Sequence, residues 1–149
     1  MEMLGNISLL DLPKHGFICS RNTRSSIILP CLDWAVERSQ GAEPVMSTFH
    51  SEMENAVFEL LLTGCCPIIM VLGRSMYKKI PSKWEPLLDA NRLLVISVCE
   101  QDRISKSTAF FSNQYICDTA DTITWGFISP SSSLFPLYNK VKQKSVILG

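Results

Sequence analysis

Gly16-Phe-Ile-Cys-Ser-Arg-Asn-Thr-Arg24 is a short apolar run that ends in a small, polar, basic turn, and a helical pattern follows it. A buried strand that feeds through such a turn into a helix leaves backbone N–H groups and an arginine at the helix start. Parallel α/β proteins hold phosphates at that place. Working outward, Ser47–Glu54 and Ser129–Leu134 repeat the arrangement. Three polar strand-to-helix turns on one side of one sheet predict a nucleotide or nucleic-acid phosphate site.

The rest of the chain alternates in the same way. Short apolar runs at residues 17–19, 43–46, 67–72, 93–98, 122–128 and 145–148 read as strands. Between them, residues 27–40, 52–63, 82–90, 107–119 and 132–142 read as helices. The first helix carries Ile28, Cys31, Leu32, Ala35 and Val36 at three- and four-residue spacing, and the fourth carries Phe110, Phe111, Tyr115 and Ile116. Residues 7–10 fit either a short leading helix or an edge strand. Strands 20–30 residues apart with helices between them imply right-handed crossovers. The expected fold is a three-layer α/β/α sandwich, Rossmann-like, with a mainly parallel sheet, formed by residues 1–149 as one domain.

Composition narrows the function. The chain has 149 residues, 46% of them hydrophobic and 19% charged, which excludes disorder. Lys+Arg and Asp+Glu balance at 14 each, so any nucleic-acid binding has to use a local basic patch. No apolar stretch is long enough to span a membrane, and the first residues lack a signal-peptide pattern. The six cysteines include no CxxC pair and read as reduced core residues of a cytoplasmic protein. With two histidines and scattered thiols, no metal site is expected. The chain has no GxGxxG or P-loop, and no Ser/His/Asp order, so neither a cofactor nor a catalytic triad is expected. His15 and Lys78-Lys79 read as surface residues, and Trp34, Trp84 and Trp125 as core or subunit contacts.

Gly5-Asn-Ile-Ser-Leu-Leu10, Leu12-Pro13 and Gly16-Phe-Ile-Cys-Ser-Arg21 resemble a Gly-Asn…Leu-Leu…Pro lead-in to Val-Gly-Ser-Arg. Ser47-Thr-Phe-His-Ser-Glu-Met-Glu54 stands for Ser-Gly-Leu-Ala-Arg-Gly-Ile-Asp, and Val71-Leu-Gly73 for a Val-Leu-Gly strand end. Leu93-Leu-Val-Ile-Ser97 is similar to Leu-Leu-Ser-Glu, Ser112-Asn113 falls on Arg-Asn-Arg, and Ser131-Ser-Ser-Leu134 on Ser-Gly-Ser-Leu. Nearly end to end, the chain resembles the Rossmann-type domain of the DNA-processing protein A (DprA/Smf) family. That family lies within the wider superfamily of nucleotide-sensing domains and phosphoribohydrolases (SLOG/LOG-like). Cys19, Thr48 and Ser112 depart from it, replacing two loop glycines and an arginine. The resemblance implies single-stranded-DNA binding and a homodimer.

The candidate binding residues follow from the loops and the resemblance together. In the first loop, Ser20, Arg21 and Asn22 would bind phosphate, with a capped helix start as the plainer reading. In the second, Thr48, His50 and Glu54 would meet phosphate or ribose. Ser51 followed by Glu54 reads equally well as an N-cap with its capping-box glutamate. Gly73 and Asn113 would line the same crevice, and Ser131, Ser132 and Ser133 would offer hydroxyls at the third helix start. The leading expectation is a non-catalytic protein that binds a nucleotide or single-stranded DNA. The alternatives are a nucleotide N-glycosidase, with Glu54 as acid/base and Arg21 as phosphate anchor, and a sensor of a small nucleotide. The glycosidase lacks support from a Pro-Gly-Gly-x-Gly-Thr motif, which this chain does not contain.

Overall fold

The computed structural model describes residues 1–21 and 24–149. Its strands are β1 (Glu2–Gly5), β2 (His15–Ile18), β3 (Val45–Ser47), β4 (Ile68–Leu72), β5 (Leu93–Ser97), β6 (Thr122–Trp125) and β7 (Ser145–Ile147). They form one sheet in the order β1-β5-β4-β3-β2-β6-β7. β4 and β5 are buried at every position, as their unbroken apolar runs require in the middle of a parallel sheet. Among the described residues only β1 runs antiparallel, with Glu2 opposite Ser97, and the other pairings are parallel. The α/β sandwich expected from the sequence is therefore the observed fold.

The helices are α1 (Ser25–Ser39), α2 (Glu52–Leu62), α3 (Glu85–Asp89), α4 (Lys106–Thr119) and α5 (Leu134–Lys140). Side chains alternate across the pleat and build two cores. Phe17, Val45, Ile68, Met70 and Val95 meet Ile27, Cys31, Val57 and Leu61 from α1 and α2. Ile18, Met46, Ile69, Val71 and Leu94 meet Ile116 of α4 and Leu137 of α5 on the other side. The chain walks outward from β2 through β3 and β4 to β5, then returns to lay β6 on the opposite flank of β2. That reversal opens a crevice at the carboxyl ends of β2 and β6.

The structure corrects several local expectations. At the N-terminus both forms occur: residues Ile7–Asp11 make a 3-10 turn, and the edge strand precedes them as β1. The buried stripe of α1 is Ile27, Cys31, Ala35 and Ser39, while Ile28 and Val36 are exposed. Ile27, Cys31 and Ala35 join the core on this side of the sheet, and Ser39 lies against Gly64 just past α2, where a Cβ would meet its backbone. On α4, Ile116 is buried, Phe110 and Tyr115 are partly buried, and Phe111 faces solvent. The strand expected at 122–128 stops at Trp125, and the helix expected at 132–142 shortens to α5. In the segment expected as a helix at 82–90, a 3-10 turn over Ser82–Trp84 precedes α3.

His15 is half-buried rather than a surface residue. Its Nε2 lies 2.8 Å from Glu43 Oε1 and 3.2 Å from Arg38 Nη1, and Thr122 Oγ1 lies 3.0 Å from its Nδ1. Trp84 and Trp125 are core residues, and Trp34 stacks on Phe17 at 5.0 Å. Cys19, Cys31, Cys66 and Cys117 are buried free thiols, whereas Cys65 is exposed. Among the described residues no helix is long and apolar enough to cross a membrane.

Candidate functional site

The site is organised by a buried carboxylate. Glu54, in the first turn of α2, is 3% exposed, and burying an anion there is costly unless donors surround it. Four are supplied. Its Oε1 accepts hydrogen bonds from the Thr48 hydroxyl at 2.7 Å and from the His50 and Ser51 amides, each at 3.2 Å. Its Oε2 accepts one from the Cys19 amide at 3.0 Å. The capping box read from Ser51 and Glu54 is formed, with the Glu54 amide donating to Ser51 Oγ. The same carboxylate reaches across to the end of β2, so it ties the first loop to the second. Oε1 is committed to the second loop, while Oε2 takes a single bond.

Ser20 makes the corresponding tie to the third loop. Its Oγ accepts from the Ser129 amide at 3.0 Å, and its own amide donates to the Phe127 carbonyl at 2.8 Å. Beneath this junction, a Cβ on Gly126 would meet the sulfurs of Cys19 and Cys31 at 2.9 Å each, so only glycine fits there. The Cys31 contact raises the pKa of the buried Cys19 thiol far above its ordinary value, while the bond from Cys19 lowers that of Cys31. Cys19 therefore stays a protonated thiol under the loop.

Around these ties lies a crevice of about 860 Å³. Arg21 and His50 stand exposed at its rim, and Ser131, Ser132 and Ser133 line the third side. Arg24, the N-cap residue of α1, makes no side-chain cap bond and lies over the Phe127 ring at 5.2 Å. Asn22 lies outside the described residues. Gly73 ends β4 on the crevice floor, where a Cβ would crowd Thr108 O at 3.1 Å and Ser112 Oγ at 3.2 Å. Its absent side chain thus serves the close approach of α4. Asn113 lines the crevice from α4, and its Oδ1 is buried with no hydrogen-bond partner. All the proposed residues that the structure describes, Ser20 to Ser133, line this one crevice.

Other lining residues were not singled out from the sequence. Lys83 and Lys106 join Arg21 in lining the crevice, where the buried Glu54 is the one lining carboxylate among the described residues, and Lys83 is paired with Glu59 at 3.5 Å. A chain with no net charge thereby carries a local cationic site. Tyr77, Pro81, Trp84, Ile104 and Phe110 form an apolar wall. Phe49 is the left-handed residue of the second loop, at φ 52°, beside the expected glycine position Thr48. A bulky residue there holds strain of about 1–3 kcal/mol. Its ring is buried against Phe58 at 5.0 Å, and its amide donates to Ser47 Oγ. Nothing in the residue pattern marks Phe49. For Lys106 the signal was present, since Lys106, Phe110 and Asn113 recur at helical spacing. Among the described residues no three histidine, cysteine or acidic side chains come together as a metal site.

Neither a family model nor a curated protein matches the chain by sequence. Solved structures do match. DNA processing protein A from Helicobacter pylori, a protein with a single-stranded-DNA binding mode, superposes with a TM-score of 0.74 at 18% identity. That match covers 97% of this chain and 69% of the other. DNA processing protein A from Streptococcus pneumoniae gives a TM-score of 0.74 at 16% identity, over 97% of this chain and 52% of that one. The chain thus spans only part of either protein. At these identities the likeness concerns architecture, and the chain has the Rossmann-like fold of the DNA processing protein A structures, as its sequence resemblance implied.

Proposed function

We propose that this chain binds the phosphates of a single-stranded nucleic acid or a nucleotide, without catalysis, in the crevice at the ends of β2, β3 and β6. The observation that supports it is the mutual bonding of three strand-end loops around a crevice with three cations and one buried carboxylate. Loops fixed by their own hydrogen bonds meet an anion without an ordering cost. Arg21 supplies the guanidinium, with the hydroxyls of Ser131 and Ser133 facing it across the third loop. His50 adds an exposed imidazole. Ser20, Thr48 and Glu54 act as positioning residues, holding the loops in place. The similar fold of a protein that binds single-stranded DNA favours a strand over a free nucleotide. A homodimer, implied by the family resemblance, belongs to the same proposal, and sedimentation tests it.

The experiment is a thermal-shift screen with nucleoside mono-, di- and triphosphates and short single-stranded DNA, run on wild type and Arg21→Ala. Binding to the native state raises the melting temperature, by the equivalent of about 2.7 kcal/mol at a hundredfold excess over Kd. A shift with wild type that Arg21→Ala loses is the expected result. A set of ligands that shifts neither protein overturns the proposal. Base release from a mononucleotide, abolished by Glu54→Gln, would establish the glycosidase instead.

A further inference from the structure

Two thiols beneath the first loop have no part in the binding described above. Cys19 directly follows β2 and lines the crevice, and Cys31 lies behind it in the second turn of α1. Both are buried, and they meet over the side chain that Gly126 lacks. Each sulfur comes 2.9 Å from the place a Gly126 Cβ would take, so at most twice that distance lies between them. The contact is direct enough for each thiol to govern the proton of the other. The remaining cysteines are placed elsewhere. Cys117 belongs to the core on the opposite side of the sheet, Cys65 is exposed, and Cys66 sits beside the Arg92 guanidinium. Cys19 also stands where the resemblance places a loop glycine, so the thiol pair lies outside the resembled motif.

We infer that Cys19 and Cys31 form an oxidation site that closes as a disulfide under the first loop, with hydrogen peroxide as the oxidant. Peroxide reaches Cys19 from the crevice. The Cys19 sulfur attacks it, an S–O bond forms, the O–O bond breaks, and the departing hydroxide takes the Cys19 proton as water. The Cys31 sulfur then attacks the sulfenic sulfur of Cys19. The S–S bond forms, the S–O bond breaks, and a second water leaves with the Cys31 proton. Two thiols thereby give up two electrons, and the peroxide accepts them. Cys31 suits the second step because its contact with Cys19 lowers its pKa, and the thiolate is the attacking form. Protonated Cys19 makes the first step slow, so closure takes sustained peroxide. The bridge closes a ring through residues 20–30, which include Ser20 and Arg21, and staples the first loop to α1. It does not rest on the phosphate reading.

The test is peptide mass spectrometry of the reduced, folded protein before and after excess hydrogen peroxide, with remaining thiols blocked by N-ethylmaleimide in urea before trypsin digestion. Cleavage after Lys14, Arg21, Arg24 and Arg38 leaves peptide His15–Arg21 joined to Ser25–Arg38 when the bridge is present. That linked pair is expected to form with peroxide, with two of the six thiols lost, and to disappear with dithiothreitol. Oxidation should also raise the melting temperature by about 5 °C or more, the effect of closing a short loop in the unfolded chain. Cys31→Ser should abolish both effects, and Cys19→Ala covers a serine variant that fails to fold. Six intact thiols after peroxide, a bridge between other cysteines instead, or sulfinic acid at Cys19 without a bridge overturns the site. A bridge between Cys19 and Cys31 that leaves the melting temperature unmoved overturns the staple.

Discussion

At the scale of single residues, Glu54 carries the most weight. Its carboxylate accepts four bonds from two loops, and glutamine would turn an N–H₂ group toward one set of those donors. Glu54→Gln is expected to destabilise the protein by about 2–3 kcal/mol, the loss of charge-assisted bonds at a buried group. Urea denaturation measures it, and a change within about 0.5 kcal/mol would mean that the loops do not depend on the carboxylate. Gly126 makes a second case. A methyl group there enters the space of both the Cys19 and Cys31 sulfurs, so Gly126→Ala should cost about 1–3 kcal/mol by overpacking. Asp121 gives a pH effect. The Lys14 amide donates to its Oδ2 at 2.8 Å, and this bond, with the Lys14 ammonium, lowers its pKa below the ordinary aspartate value. A depressed carboxylate stabilises the fold above its unfolded pKa, near about 3.9, and the contribution disappears as pH falls through the lower folded value. Asp121→Asn should therefore reduce stability at pH 7 and narrow its difference from wild type below pH 3, read by melting at each pH.

At the scale of elements, α2 owes its start to the capping box at Ser51 and Glu54. Ser51→Ala should cost about 1 kcal/mol without changing the fold, measured by circular dichroism and chemical denaturation. This helix start was legible because cap chemistry is local: a serine three residues before a glutamate is a complete signal. The strands β4 and β5 were legible for a similar reason, as unbroken apolar runs allow one environment. The face of α1 was not. Two stripes that share Cys31 and Ala35, one adding Ile27 and Ser39 and one adding Ile28 and Val36, satisfy the same spacing, and the close approach of Ser39 to Gly64 is a tertiary contact that spacing does not reveal. Nor does local pattern reveal that Glu54 would cap its own helix and also bind the end of β2, 35 residues away in sequence. Thiol labelling checks the placement of the cysteines. Burial pushes Cys66 up to about 11 and Cys117 up to about 12, so at pH 8 both should resist iodoacetamide while exposed Cys65 reacts. Rapid native labelling of Cys117 would place α4 wrongly against the sheet.

At the scale of the whole molecule, the order β5-β4-β3-β2-β6 brings three separate loops to one crevice. The sequence carried each loop, and the alternation of strands and helices carried their placement on one side. The hydrogen bonds that lock them to one another came from long-range packing. The result is a neutral protein with Arg21, Lys83 and Lys106 at one crevice, and charge placement predicts how binding responds to salt. The most direct measurement is the affinity of a single-stranded oligonucleotide for wild type and Arg21→Ala across a salt series. Each phosphate contact adds about 0.7 to the slope of log K against log salt on a single strand. The account predicts wild-type binding that weakens with salt, and an Arg21→Ala slope shallower by about 0.7 with lower affinity at every concentration. Binding that ignores salt, or an Arg21→Ala line that overlies the wild-type line, would contradict the claim that this crevice holds phosphate.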